Sequence, residues 1–186
     1  SYTVDLWRRL ADTASAAEWE QKATIEDLKS TRLSLINSVV ATYYQIAYYK
    51  DAIAGTERTI KNYESIANIL NNKLAAGAID PLAVEQAQQA TLNARNNVIS
   101  LRANLKVAEQ TLRNLLNLKP NQPLPAKYPS ILSVKLQGVD TNVPVSVIAN
   151  RPDVTAALQR LQSQFNTLTA TEKSWFPTLT LGASLS

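Results

Sequence analysis

The stretch LNNKLAAGAIDPLAVEQAQ, Leu70 to Gln88, decides how the chain is read. No proline precedes Pro81, and Gly55 is the only glycine before Gly77; the next proline after Pro81 is Pro120. Two long breaker-free stretches thus flank one cluster of turn formers. Glycine takes the left-handed conformation that ends a helix, and proline suits a first helical position. Gly77, Asp80 and Pro81 together predict a tight connection between two helices.

Outward from that bend, both flanks carry a seven-residue repeat. Val39, Ile46, Ile53, Ile60, Ala67 and Leu74 are seven apart, and Thr42, Tyr49, Thr56, Tyr63 and Leu70 fall three further on. Beyond the bend, Val84, Thr91, Val98, Leu105 and Leu112 alternate with Ala87, Ala94, Leu101, Ala108 and Leu115. A strict heptad predicts supercoiled helix packing rather than a globular core. Ala and Thr in the seam permit close approach but bury little area per contact.

The rest of the chain divides as follows. Residues 8–76 form one long helix of about 100 Å, residues 82–117 a return helix of roughly 54 Å, and residues 153–173 a second return helix of roughly 32 Å, at ~1.5 Å per residue. The segment 118–152 is irregular. It holds Pro120, Pro123, Pro125 and Pro129, then the extended runs ILSVKL and VPVSVI, which predict one or two short strands. Pro152 and Asp153 open the last helix, with Val154, Leu158, Leu161, Phe165 and Leu168 as its apolar face. At the two ends, SYTVDLW and TLTLGASLS alternate apolar and polar residues as strands do. Tyr2, Val4 and Leu6 share one face, as do Leu179, Leu181, Ala183 and Leu185. The two return pieces nearly match the long helix, which predicts both strands at one end and the AAGAIDP bend at the other. Both strands run off the chain, so it reads as a piece of a longer protein whose targeting signal and any lipidation site lie outside it.

Composition narrows function mainly by exclusion. There is no Cys and no His, which removes disulfides, thiolate chemistry, the usual zinc ligand sets and the commonest general base. The net charge of +4 is dispersed; Trp7-Arg8-Arg9 is the nearest thing to a basic cluster, so nucleic acid is not a partner. No run of apolar residues is long enough for a spanning helix. No pair of acids has a third group to form an active site, so the chain is not read as an enzyme, and no cofactor or metal is expected.

Three motifs carry a family resemblance that covers essentially the whole chain. SYTVDLWRRL is similar to a strand-to-helix passage with a D-L-hydrophobic-x-R-L core. RPDV, a helix and then WFPTLTL are similar to a paired R-P-D-[IV] and F-P-[ST]-[IL]. KLAAGAIDP is similar to a V-G-[LAV] tip. The chain resembles the TolC-like outer-membrane efflux factors, in particular the OprM-type, NodT-like lipoprotein branch, over about one structural repeat. The resemblance implies a mainly α fold: a long antiparallel coiled-coil hairpin whose terminal strands join a trimeric outer-membrane β-barrel. It implies a conduit with a periplasmic α-helical tunnel, of the kind involved in multidrug resistance. Its partners would be two further copies, outer-membrane lipid, the hairpins of a periplasmic adaptor (a membrane fusion protein) and an inner-membrane pump. Ala75, Ala76, Gly77 and Ala78 are the implied adaptor-docking tip. The sequence departs from the family in having Ala76 where Val is usual and Ala83 where an aperture Asp is common; Asp80 is the nearby acid that could serve the aperture.

Read from the residues alone, the bend is either a plain connection or a docking tip, and the strands belong either to a barrel or to an ordinary half-buried sheet. Trp7 and Trp175 flank the strands and suit either a membrane-boundary belt or packing at the strand–helix joint. Asp5, Arg8 and Arg9 read as a junction, and Glu18, Glu20, Glu26 and Asp27 as a solvated helix face. Tyr43, Tyr44, Tyr48 and Tyr49 read as inter-helix packing or a substrate patch. The alternative function is a soluble coiled-coil interaction or adaptor protein of the cell envelope.

Overall fold

A computed structural model describes residues 2–135, 138 and 144–182. Its elements run β1 (Tyr2–Val4), α1 (Arg9–Ala75), α2 (Pro81–Leu115), a single 3-10 turn (Ile131–Ser133), α3 (Val145–Ala149), α4 (Pro152–Glu172), a second 3-10 turn (Lys173–Trp175) and β2 (Leu179–Leu181). The chain clusters into two units, Leu35–Gln137 and the combination of Ser1–Ser34 with Gly138–Ser186. Helix α1 passes through both as one uninterrupted element of 67 residues.

In the first unit, α1 and α2 form the hairpin that the heptads predict. Every seam position named above is buried or half-buried, and none is exposed. Ile46, Ala108 and Leu112 make the buried centre, with Val39, Tyr49, Leu105, Leu124 and Tyr128 packed around it. Two inter-helix ion pairs flank the seam, Glu57 with Arg102 at 2.7 Å and Glu64 with Arg95 at 2.6 Å. A step of seven along α1 is matched by a step of seven back along α2, as an antiparallel register requires.

The proline-rich segment is fastened to one stretch of α1. The Tyr43 hydroxyl donates to the Lys127 carbonyl at 2.7 Å, and its ring lies 5.1 Å from that of Tyr128. The Asp51 carboxylate accepts from the Ser130 hydroxyl and the Ile131 N–H at 2.8 and 2.7 Å, capping the 3-10 turn from a distant helix. Tyr43 therefore serves packing, while Tyr44 and Tyr48 remain exposed.

The runs ILSVKL and VPVSVI are not strands over their described residues. The first contains the 3-10 turn and the second forms α3. Their Val and Ile content suggests extended chain, but Pro144 occupies the N-cap position of α3 and its carbonyl accepts from the Val147 N–H at 2.9 Å. A local helix start overrides the weak side-chain preference. Leu136 and Val143 of these runs lie outside the described residues.

In the second unit, the first turns of α1 pack on α4, and the large apolar residues of α4 are not the ones that pack. Leu158, Leu161, Phe165 and Leu168 are all exposed, at 54 to 59%. The buried positions of α4 are Ala156, Ser163 and Ala170, against Ala16 and Ala23 of α1. These small residues recur every seven positions and let the backbones approach. The Ser163 hydroxyl donates directly to the Ala16 carbonyl at 2.8 Å, a contact that a Leu in the seam would block. Arg160 pairs with both Glu20 and Asp27, and Lys173 with Asp12, so Glu20 and Asp27 are not merely a solvated face.

Strands β1 and β2 pair antiparallel, with Tyr2 opposite Leu181, Thr3 opposite Thr180 and Val4 opposite Leu179. Apolar residues are thus matched with apolar and threonine with threonine. Leu6 lies beyond β1; Ala183, Ser184, Leu185 and Ser186 lie outside the described residues, as does Ser1. Among the described residues no helix is long and apolar enough to cross a membrane.

Candidate functional site

The bend at residues 76–80 is built entirely from local bonds. Gly77 has φ of +69°. Its N–H donates to the Leu74 carbonyl at 2.8 Å, and the Ala78 N–H reaches back to the Lys73 carbonyl at 2.9 Å. This pair of bonds closes the end of α1 and needs one left-handed residue, which glycine adopts without a Cβ penalty. Three residues on, Asp80 caps α2: its carboxylate accepts from the Leu82 N–H at 2.8 Å, and Pro81 takes the first helical position. One helix is closed and the next opened within five residues.

The sequence-predicted tip residues Ala75, Ala76, Gly77 and Ala78 are adjacent and exposed, while Ile79 is half-buried. A Cβ added at Gly77 would meet nothing within 4 Å. The backbone conformation alone asks for glycine there, and the space around it is open. At Ala76, Gly77 and Ala78 the bend thus presents bare backbone and methyl groups to solvent, with the exposed Asp80 beside them. Ala75, Ala76, Gly77 and Ala78 can offer a close contact surface without polar side chains.

Trp7 and Trp175, both in the strand-bearing unit, behave differently from each other. The Trp7 ring stacks on Phe176 at 4.9 Å, and its indole N–H donates to the Pro177 carbonyl at 3.1 Å. Trp7 therefore helps join the two strand–helix passages. Trp175 is 90% exposed. Next to Trp7, Arg8 has φ of 60°, and the Asp5 carboxylate accepts from the Leu10 and Ala11 N–H groups at 3.1 and 2.9 Å. Desolvation pushes the Asp5 carboxyl up, but the N–H groups of Ala11, Leu10 and Arg9 with the Arg9 charge outweigh it and hold it below the usual range. In the RPD motif, the hydrogen bond from Arg151 chiefly holds the Asp153 carboxyl below its usual range, at contacts of 3.1 and 2.8 Å. Both acids serve helix starts. The sequence reading missed the Asp51 and Arg160 contacts; their partners lie 79 and 133 or more residues away, and only the opposite charges at heptad-related positions hint at the latter. Among the described residues no group of acids could hold a metal ion.

Comparison with known proteins agrees with this architecture. The chain is 63% identical to the toxin and drug export protein A of Aggregatibacter actinomycetemcomitans, over 100% of this chain and 40% of that protein. It is 27% identical to the cation efflux system protein CusC of Escherichia coli, over 100% of this chain and 40% of that protein. The solved structure of the outer-membrane channel OprN superposes with a TM-score of 0.86 at 21% identity, covering 95% of this chain and 40% of that one, which shows a shared fold. The chain spans about two-fifths of the length of these curated relatives. Residues 1–118 match the family model described as outer membrane efflux protein, and with that match the chain belongs to the outer membrane efflux protein family.

Proposed function

We propose that this chain is one repeat of the outer-membrane channel component of a tripartite efflux pump. The full-length protein forms a homotrimer in the bacterial outer membrane, extends into the periplasm and passes small molecules outward. Residues 1–7 and 177–186 contribute barrel strands, 8–76 the long tunnel helix, 77–81 the periplasmic tip, 82–117 and 153–173 the return helices, and 118–152 the equatorial segment. A periplasmic adaptor docks its hairpins on Ala75, Ala76, Gly77 and Ala78, and an inner-membrane pump supplies the cargo. The chain's part is mechanical: it builds a wall and a gate, and performs no reaction.

The observation that carries this reading is the bend. Its helix ends are closed by their own hydrogen bonds, and four consecutive exposed residues, Ala75, Ala76, Gly77 and Ala78, carry no polar side chain, where a turn serving only as a connection would carry them. The pairing of β1 with β2 supports the barrel assignment. A two-stranded sheet is marginal alone, and a closed barrel is the sheet architecture that spans lipid. Family membership favours the channel over the soluble adaptor weighed above. Asp80, beyond its cap, is the aperture candidate, and the exposed Trp175 suits the membrane boundary better than Trp7, which is engaged in packing.

The substitution Gly77→Asn tests the tip. Asparagine tolerates the left-handed conformation, and open space awaits its side chain, so the bend survives while its bare surface does not. In the full-length protein, the variant is expected to reach the outer membrane as a trimer and lose export. Wild-type export from this variant would remove the docking role.

A further inference from the structure

Along the hairpin from residue 52 to residue 111 most charged side chains are sorted to one side; Arg58, five after Ile53, stands on the outer face away from the seam. Residues four after a seam position flank the seam on one side, and residues one before it flank the other. Glu57 and Glu64 follow Ile53 and Ile60 by four; Arg95 and Arg102 follow Thr91 and Val98 by four. Their ion pairs lie along this flank, and Glu64 and Arg95 line one open groove together. Lys61 and Lys106 stand at heptad positions on the same side. The opposite flank carries Thr59, Asn62, Asn93, Asn97, Ser100 and Asn104, all exposed. Thr59, Asn93 and Asn97 line a second groove. From residue 52 to residue 111 the charge on this flank is Lys73, beside the bend.

We propose that the amide and hydroxyl flank lines the interior of the conduit and the ion-paired flank faces the periplasm. This deepens, and rests on, the channel reading. The physical ground is field focusing. Fixed charges along a narrow water-filled passage with low-dielectric walls concentrate potential, hold counter-ions and favour solutes of one sign. Facing bulk solvent, the same charges are screened within about 8 Å at physiological salt. Amides and hydroxyls wet a wall and bond transiently to passing solutes of either sign. A wall so lined suits cargo selected by the pump rather than by the channel, and predicts that this section discriminates little by charge.

The sequence has no cysteine, which makes the test direct. In the full-length trimer, in a background without other reactive thiols, Asn97→Cys and Lys106→Cys are reconstituted separately in planar bilayers under a salt gradient. A negatively charged methanethiosulfonate reagent is then added, and each channel serves as its own reference before and after reaction. At position 97 the added charge is expected to shift the reversal potential toward cation preference and change the conductance; at position 106 both should stay unchanged. A shift at 106 and not 97, equal shifts at both, or none at either with complete labelling would overturn the assignment. A full-length protein that conducts nothing would instead overturn the channel reading itself.

Discussion

The two units solve helix packing in opposite ways. In the hairpin unit, the seam closes on side chains: Ile46 is fully buried, with Leu112, Val84 and Val98 nearly so. In the strand-bearing unit, the seam closes on backbone. Ala23 and Ala156 are as buried as Ile46, and the large apolar residues of α4 point away. Apolar burial stabilises in proportion to area, so the hairpin carries more of its own stability. In the strand-bearing unit Leu158, Leu161, Phe165 and Leu168 stay exposed and add little to its stability in isolation. The difference shows that apolar periodicity identifies a helix face without saying which neighbour covers it.

The comparison can be broken most forcefully at Ile46. Ile46→Ala should cost about 2–5 kcal/mol through lost burial and a residual cavity, read as a drop in the denaturant midpoint by circular dichroism. Hydrogen exchange should accelerate chiefly in residues 35–135. In the other unit the sensitive change runs in the opposite direction. Ala23→Leu enlarges a fully buried position and should cost roughly 1–3 kcal/mol by overpacking, loosening α4 and leaving the hairpin protected. If Ala23→Leu were neutral, the contrast between side-chain and backbone seams would fail.

Smaller effects sharpen the same contrast. Leu158→Ser, at a position 59% exposed, should change the stability of the isolated chain by less than about 0.5 kcal/mol, although it looks like a core substitution in the sequence. A large loss would place Leu158 in a packed core. The smallest effect is acid fraying of the helix starts in the strand-bearing unit. Asp5 and Asp153 have folded pKa values below the ordinary 3.8. The stabilisation from their ionised forms is therefore complete above that value and is lost as pH falls through the lower folded values. Amide exchange at Leu10 and Ala11 should rise at the acid end of that window, and Asp5→Asn should remove much of the dependence.

What the sequence discloses follows the same division. The hairpin seam is legible because its buried residues, Thr42 and Thr91 apart, are apolar, and the bend because Gly77, Asp80 and Pro81 each have one conformational use. Asn117 ends α2 as Gly77 ends α1, with φ of 53° and the Leu118 N–H bonded to the Arg113 carbonyl at 2.8 Å, and no glycine marks that place. The packing face of α4 is not legible because its buried residues are Ala and Ser, which no hydrophobic pattern highlights, although Ala156, Ser163 and Ala170 keep the heptad. Asp51 and Arg160 act across long sequence separations, so their partners follow from helix register rather than local spacing. The tip residues are legible as an exposed apolar cluster; the use by a partner proposed for them is a property of an assembly.

That use can be measured in cells. Full-length protein bearing Ala78→Cys, expressed with its adaptor carrying single cysteines along the hairpin, should form a disulfide-linked product with the adaptor in export-competent cells. Leu181→Cys, in β2, should form none. No product at position 78 despite normal export, or equal cross-linking at both positions, would contradict docking at the Gly77 bend.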